Sequence, residues 1–497
     1  MHDIKRLALV ATFLPLLACP KKAPAPVVDT SPPPDPNAWR AQAPSPGPEP
    51  TWQPSVAETF TLSNGIPVYL VQKHDLPLVT VEVTLAVGRD ANPKGKAGLT
   101  ALTASMLDEG TKKHTGADLA AALANLGADL SVGGGSDSSA LTIDALGGDS
   151  LAPSLDLLTE VLLQPRFDKG DFARVKQQAL DQIAADRSEP RDVARRVFAR
   201  ELYGADHPFG FATIGDEATV KAITLADVQG LYKRQWHAGN ATIIVAGDTT
   251  PEALKPLLEA RLGKWAKGKA GRTELAVPPV PEHTRVVFVE QPGSVQSVIY
   301  AGTPAMARTD AGFWPANIAG TLFGGMFGSR LNMNLREEHG WSYGAYGGFG
   351  EDRALGVFSA RTSVQADKTA PAVGEIIKEL SAARRAPTAQ ELTQTQDYLA
   401  KSLAGNFETN NATATAFASA LEMGLGPDAW QKYVAELRAV DADTAGQAAT
   451  KYFDPARMLV VVAGPRTVQI EEDGASKTVD VVAELKGLGY DFVEDKR

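Results

Sequence analysis

The sequence predicts an α/β fold made of two similar halves, and three observations carry that prediction. Strand-forming and helix-forming segments recur twice in the same order along the chain. Each half closes on a buried-strand run ending in Val-Ala-Gly, Val245-Ala246-Gly247 in the first and Val462-Ala463-Gly464 in the second. Between the halves lies a stretch rich in Pro, Gly and Lys, 267–281, which reads as a linker. The 497 residues allow about three domains, or two large ones, at roughly 150 residues each.

The elements follow in order. Alternation over 59–62, a turn at Ser63-Asn64-Gly65 and the run 66–71 predict a hairpin, and the Val- and Thr-rich 78–87 another strand. Helices are expected over 98–109, where Gly110 stops the first, and over 116–126. A strand-like 129–145 leads to helices over 151–163, 169–186 and 191–202. The first half ends with strand 240–248 and helix 251–262. In the second half, strands 285–290 and 297–301 precede a helix over 311–322. A glycine-rich loop, Phe323 to Ser329, and a helix reaching Glu338 come next. Strands 342–348 and 356–363, helices 369–382, 389–406 and 444–452, and strand 458–463 complete it.

Composition narrows the function. Apolar residues make up 44% and charged residues 22%, an ordinary globular balance. Acidic residues outnumber basic ones, 59 to 49, so a nucleic-acid binder is not expected. A single cysteine, Cys19, excludes a disulfide framework or thiolate metal cluster within one chain. The seven histidines are so spread that no two lie three to five residues apart, which excludes a helical His-pair zinc site.

The N-terminus reads as an address. Lys5 and Arg6 precede an apolar run, 7–18, too short for a bilayer span but suited to a secretory signal, 1–18. Leu16-Leu17-Ala18-Cys19 resembles a bacterial lipobox, which implies acylation of Cys19 and anchoring to the cell envelope as a lipoprotein. The alternative is a plain signal peptide with an incidental cysteine. Pro20 after Cys19 favours the periplasmic face of the outer membrane in a two-membrane bacterium. From Pro20 to Pro54, 12 of 35 residues are proline, which keeps a spacer extended. The expected organisation is therefore signal 1–18, anchor and spacer 19–56, first domain 57–266, linker 267–283 and second domain 284–497.

Longer motifs are specific. The segment Leu62 to Val71, then Lys96-Ala97-Gly98-Leu99 through Gly110-Thr111, resembles the start of insulinase/pitrilysin-type peptidases, the inverzincins. His207-Pro208-Phe209-Gly210 and Trp236-His237-Ala238-Gly239-Asn240 are similar to the rest of that domain. Gly324-Gly325-Met326-Phe327-Gly328-Ser329-Arg330-Leu331 and Leu335 to Tyr343 resemble the family's second domain. The resemblance covers about 57–465. It implies two homologous α+β domains, each a mixed, mainly antiparallel sheet packed with helices.

Active members of that family carry H-x-x-E-H on a helix and a glutamate on a later one. Residues i and i+4 share a helical face, so two imidazoles hold one zinc while the glutamate polarises its water. Here Ala101 and Ser105 stand at the two histidine positions, Ala104 at the base and Gln182 at the distal glutamate. None of the four can do that chemistry, so no catalytic residue and no metal are expected in this chain. Asp108, Glu109 and Asp181 read as solvated acids rather than a replacement site.

The resemblance also implies a role for Arg336 and Tyr343, seven apart, which match an Arg/Tyr pair that binds substrate backbone near the scissile carbonyl. Both are donors suited to a developing oxyanion. The loop 323–329 is open between substrate contact and helix packing. Arg191, Arg195, Arg196 and Arg200 form a stripe at near-helical spacing that reads as a solvated face, and His207 and His237 read as structural. Gly133-Gly134-Gly135 and Gly147-Gly148 sit beside strands, not before a helix, and no nucleotide site is expected. The expectation is a zinc-less, lipid-anchored subunit, inactive alone, that pairs with a zinc-bearing homologue and binds its peptide substrate. The alternative is a non-enzymatic assembly scaffold of the same fold.

Overall fold

Val, Ile and Thr runs build the strands, since branched side chains pack well on a pleated surface. The structure, a computed structural model, describes residues 36–41, 52–269, 271–354, 356–472 and 474–495. Cys19 and the whole 1–18 segment lie outside the described residues. Of the spacer's middle, Ala38–Ala41 form a 3-10 turn. Residues 52–497 make one compact unit. Among the described residues, no helix is long and apolar enough to cross a membrane.

The first half contributes β1 (Glu58–Thr61), β2 (Pro67–Gln72), β3 (Leu78–Leu85), β4 (Asp129–Gly134), β5 (Ser139–Leu146) and β6 (Ala241–Gly247). They form one sheet in the order β1-β2-β6-β3-β5-β4, with β2 and β6 parallel and the rest antiparallel. The second half contributes β7 (Arg285–Glu290), β8 (Gln296–Pro304), β9 (Ser342–Phe349), β10 (Val357–Gln365) and β11 (Leu459–Gly464). A small hairpin of β12 (Thr467–Glu472) and β13 (Ala475–Asp480) precedes β14 (Asp491–Asp495). The second sheet runs β14-β7-β11-β8-β10-β9, with β7 parallel to both β11 and β14. Strand for strand, β2-β6-β3-β5-β4 corresponds to β7-β11-β8-β10-β9. The α/β fold with two mixed sheets packed by helices is therefore present.

Several boundaries differ from the sequence expectation. The stretch 129–145 is a hairpin rather than one strand, because the chain turns at 135–138, just past Gly133-Gly134. The helix expected over 98–109 is only α1, Leu99–Ala104, with Ser105 as its C-cap. The strand at 458–463 is not the end of the fold, since the hairpin, helix Val481–Gly487 and β14 follow it. Helices Leu225–Gln235, Asn410–Glu422 and Ala429–Arg438 also went unpredicted.

Each sheet packs one face on helices of its own half. In the first, Leu102, Leu155, Leu158 and Leu258 join Val68, Val81 and Val245; in the second, Phe313, Ile376 and Leu380 join Phe288 and Val460. The opposite faces are covered by exchange. Two long helices of the first half, α2 (Lys169–Asp186) and α3 (Pro190–Tyr203), follow one another, and α3 crosses to the second sheet. There Ala194, Val197, Phe198 and Leu202, at helical spacing, meet Val287, Val289, Tyr300 and Val461. In return α4 (Asn410–Glu422) lies on β3 and β6 of the first sheet, where Ala414, Phe417 and Ala418 meet Val71, Ile244 and Ala246. These reciprocal helices tie the halves together.

Candidate functional site

The first candidate lies under α1. Gly98 enters the helix at φ 93° and lets the Ile214 carbonyl approach where a Cβ would collide. Ala101 and the C-cap Ser105 then face Val175, Gln178 and Ala179 of α2 across a cavity of about 250 Å³. Ala104 is fully buried and does not line it. Gln182 is not there either: it is exposed one turn further along α2, donating to Asp186 Oδ1 at 2.6 Å. Gln178 occupies the position facing α1. Gln182, the position that motif spacing points to, lies one turn beyond Gln178 on the same helix.

The donors at this cavity are a hydroxyl, an amide and the Glu109 carboxylate, which already receives the Arg174 guanidinium. That set does not fit zinc, which takes imidazole, thiolate or free carboxylate in tetrahedral array. Asp181 accepts from Gln177 Nε2 at 2.8 Å, and burial raises the Asp108 carboxyl above its ordinary range. Among the described residues, no group of three or more His, Cys, Asp or Glu could hold a metal ion.

The second candidate lies on the other half. Arg336 sits on the wide π-helical turn Met333–Glu338, which Gly340 ends at φ 66°. Its guanidinium lies 4.7 Å from the ring centre of the exposed Phe327, with Nε 3.3 Å from Glu337 Oε1. The loop 323–329 thus divides. Phe323 is buried on Phe358 and Phe453, and Gly324 abuts the Gly347 backbone, whereas Phe327 and Gly328 are exposed beside Arg336.

Tyr343 is 90% exposed on β9. The register between β9 and β10 slips there: Thr362 faces Ala345 and Val364 faces Ser342, leaving Tyr343 and Gly344 opposite Ser363. Such a bulge re-aims a side chain. Tyr343 borders a cleft of about 380 Å³ together with Tyr346, Arg361 and Arg191, and Arg336 does not line it. The structure does not place the two predicted substrate contacts in one cavity.

The arginine stripe is the solvated face expected only in part: Arg191 and Arg195 are exposed, whereas Arg196 and Arg200 are half-buried. Arg195 pairs with Asp192 at 2.8 Å, Arg196 with Asp186, and Arg200 with Asp495 and with Glu201 at 3.4 Å. Only Arg191 of the four has no ion-pair partner among the described residues. His207 stacks on Tyr203 and accepts from Phe209 N at 3.0 Å, with burial lowering its pKa. His237 is buried against Gly268.

One group escaped sequence reasoning altogether. Glu82 of β3 is buried beneath α4 with its Oε2 unpartnered, and its pKa is pushed up to about 7. Burial is the main cause, the Glu422 charge the next, opposed by the Thr415 hydroxyl and aided weakly by Asp144. The only signal was one acid in an otherwise uncharged strand.

Comparison with known proteins agrees on one family. Residues 68–208 match the model described as insulinase (peptidase family M16), and residues 222–399 the model described as peptidase M16 inactive domain. A relative from Helicobacter pylori named non-peptidase homolog YmxG is 24% identical over 339 residues, 67% of this chain and 77% of its own. A peptidase M16 inactive domain from Pseudomonas fluorescens superposes with a TM-score of 0.77 at 23% identity, over 84% of this chain and all of the other. A protease from Helicobacter pylori gives 0.75 at 18% identity, over 83% of this chain and all of its own.

Proposed function

The chain belongs to the insulinase family, peptidase M16, and we propose that it serves there as the non-catalytic, substrate-binding partner of a zinc-bearing homologue that processes peptides or proteins. One observation carries the reading. The helix that should hold the metal offers Ala101, Ala104 and Ser105, while the second half still presents Tyr343 on a bulge and Arg336 beside an exposed loop. Hydrolysis then belongs to another chain, and this one supplies donors that grip the peptide. Acylation of Cys19 would hold the pair at the cell envelope, on the periplasmic face of the outer membrane.

Co-purification tests the pairing. A homologue bearing H-x-x-E-H should accompany this chain, and Arg336→Ala should depress peptide cleavage by the mixture severalfold. A normally active mixture after that change discards the Arg336 role, and a preparation that never contains the homologue favours the assembly-scaffold alternative. Stoichiometric zinc in the chain alone, lost on Ser105→Ala, would overturn the non-catalytic reading.

A further inference from the structure

The exchanged helices cover equivalent places on the two sheets, and the side chains there differ in charge. In the first sheet a row runs Ile244, Glu82, Thr142, Ser131 across β6, β3, β5 and β4. The matching row in the second sheet is Val461, Tyr300, Arg361, Tyr346 across β11, β8, β10 and β9. One pair further along, Asp144 on β5 faces Thr80, and Ser363 on β10 faces Val298. The second residue of the covering helix reaches each place: Asn411 of α4 in the first, Arg191 of α3 in the second.

In the first half the ends meet. Asn411 Nδ2 donates to Asp144 Oδ2 at 3.1 Å, and the Thr80 hydroxyl donates to the same carboxylate. In the second half, Ser363 stands where that carboxylate would be, and two guanidinium groups, Arg191 and Arg361, border the cleft instead. Neither guanidinium has a hydrogen-bond or ion-pair partner among the described residues, and none of the residues lining the cleft is acidic. Tyr343 and Tyr346 add hydroxyls that can donate. Two like charges beside a cleft of donors repel until an anion enters, and a carboxylate suits the planar guanidinium fork.

We propose that this cleft binds a carboxylate of a peptide between Arg191 and Arg361, beside Tyr343. The inference rests on the peptide-binding reading above and names the substrate class: peptides carrying an acidic side chain or a free C-terminus at this position.

Fluorescence anisotropy with the full chain and three labelled peptides of one length tests it. One carries an Asp-Glu pair and an amidated C-terminus, one is uncharged with a free C-terminus, and one is uncharged and amidated. At least one carboxylate peptide should bind about ten-fold tighter than the uncharged amide, and which one does so identifies the carboxylate's source. The preference should fall severalfold in Arg361→Gln and in Arg191→Gln, and weaken as salt rises. Both arginines are exposed, so an unchanged melting temperature keeps the variants interpretable. Equal binding of all three peptides, or a preference surviving both substitutions, overturns the carboxylate site and leaves peptide docking standing. Failure of every peptide to bind overturns both.

Discussion

The two halves share one strand order and one trick, a helix lent to the other's sheet, yet they use the exposed end of that contact differently. The first half closes that place from within, with Asp144 satisfied by Asn411 and Thr80 and with Glu82, one of whose oxygens has no partner, buried alongside. The second half buries Tyr300 in the place of Glu82 and leaves Arg361 and the Arg191 of the borrowed helix without ion-pair partners among the described residues. A duplicated scaffold fixes where side chains go, not what they are. In the first half the matching place is filled by hydrogen bonds between its own side chains, whereas in the second it borders an open cleft.

The largest effect should come from the exchanged helices. Phe417 is 1% exposed on α4 and Phe198 is 7% exposed on α3. Phe417→Ala should cost about 3–5 kcal/mol and Phe198→Ala toward the lower end of that range, because a buried ring leaves a cavity that the sheet cannot fill. Urea midpoints measure both. If Phe198→Ala proved the more damaging, the first-half contact would not be the better sealed of the two.

The buried acid gives the next effect, and its sign is fixed. Glu82 titrates near 7 in the folded chain against an ordinary 4.5, so between those values the folded state holds a proton that the unfolded state has released. Stability from this group therefore falls as pH rises from 4.5 to 7, by roughly 3 kcal/mol at most, and stays low above 7. Glu82→Gln should flatten that part of the melting-temperature profile and raise stability above pH 7. Tyr300→Phe, the matched change in the second half, should leave the slope untouched. Parallel profiles for wild type and Glu82→Gln would remove Glu82 as the source, leaving Asp108, Asp137, Asp352 and Glu422, whose carboxyls burial also raises.

How much of this was legible in the sequence depends on whether the cause was local. The duplication was legible because Val245-Ala246-Gly247 and Val462-Ala463-Gly464 end equivalent central strands, buried on both faces and hence almost wholly apolar. The helix carrying Ala101 was legible too, although it ends at Ala104 with Ser105 as its cap. Gln178 was not, because its approach to Ala101 depends on how α2 crosses α1 rather than on any count along the chain. Helix α4 hid behind Ala412-Thr413-Ala414-Thr415-Ala416, whose small alternating side chains carry little helical signal, and its apolar face is set by the opposite sheet. The isolation of Arg191 emerged only after its three neighbours had found partners in other elements.

The smallest effect is the sharpest probe of the difference between halves. Arg361 corresponds to Thr142, so Arg361→Thr gives the second half the first half's residue at that place. Arg361 is exposed and unpaired, and its removal should change stability by less than about 0.5 kcal/mol. The sign should be positive at low salt, because one of two facing like charges is gone, and the gain should vanish at high salt as screening does the same work. Melting temperatures of both proteins at the two salt levels read this directly. A loss of stability at low salt would mean that the guanidinium has a favourable partner in the folded chain, and the second half would then be as self-satisfied there as the first.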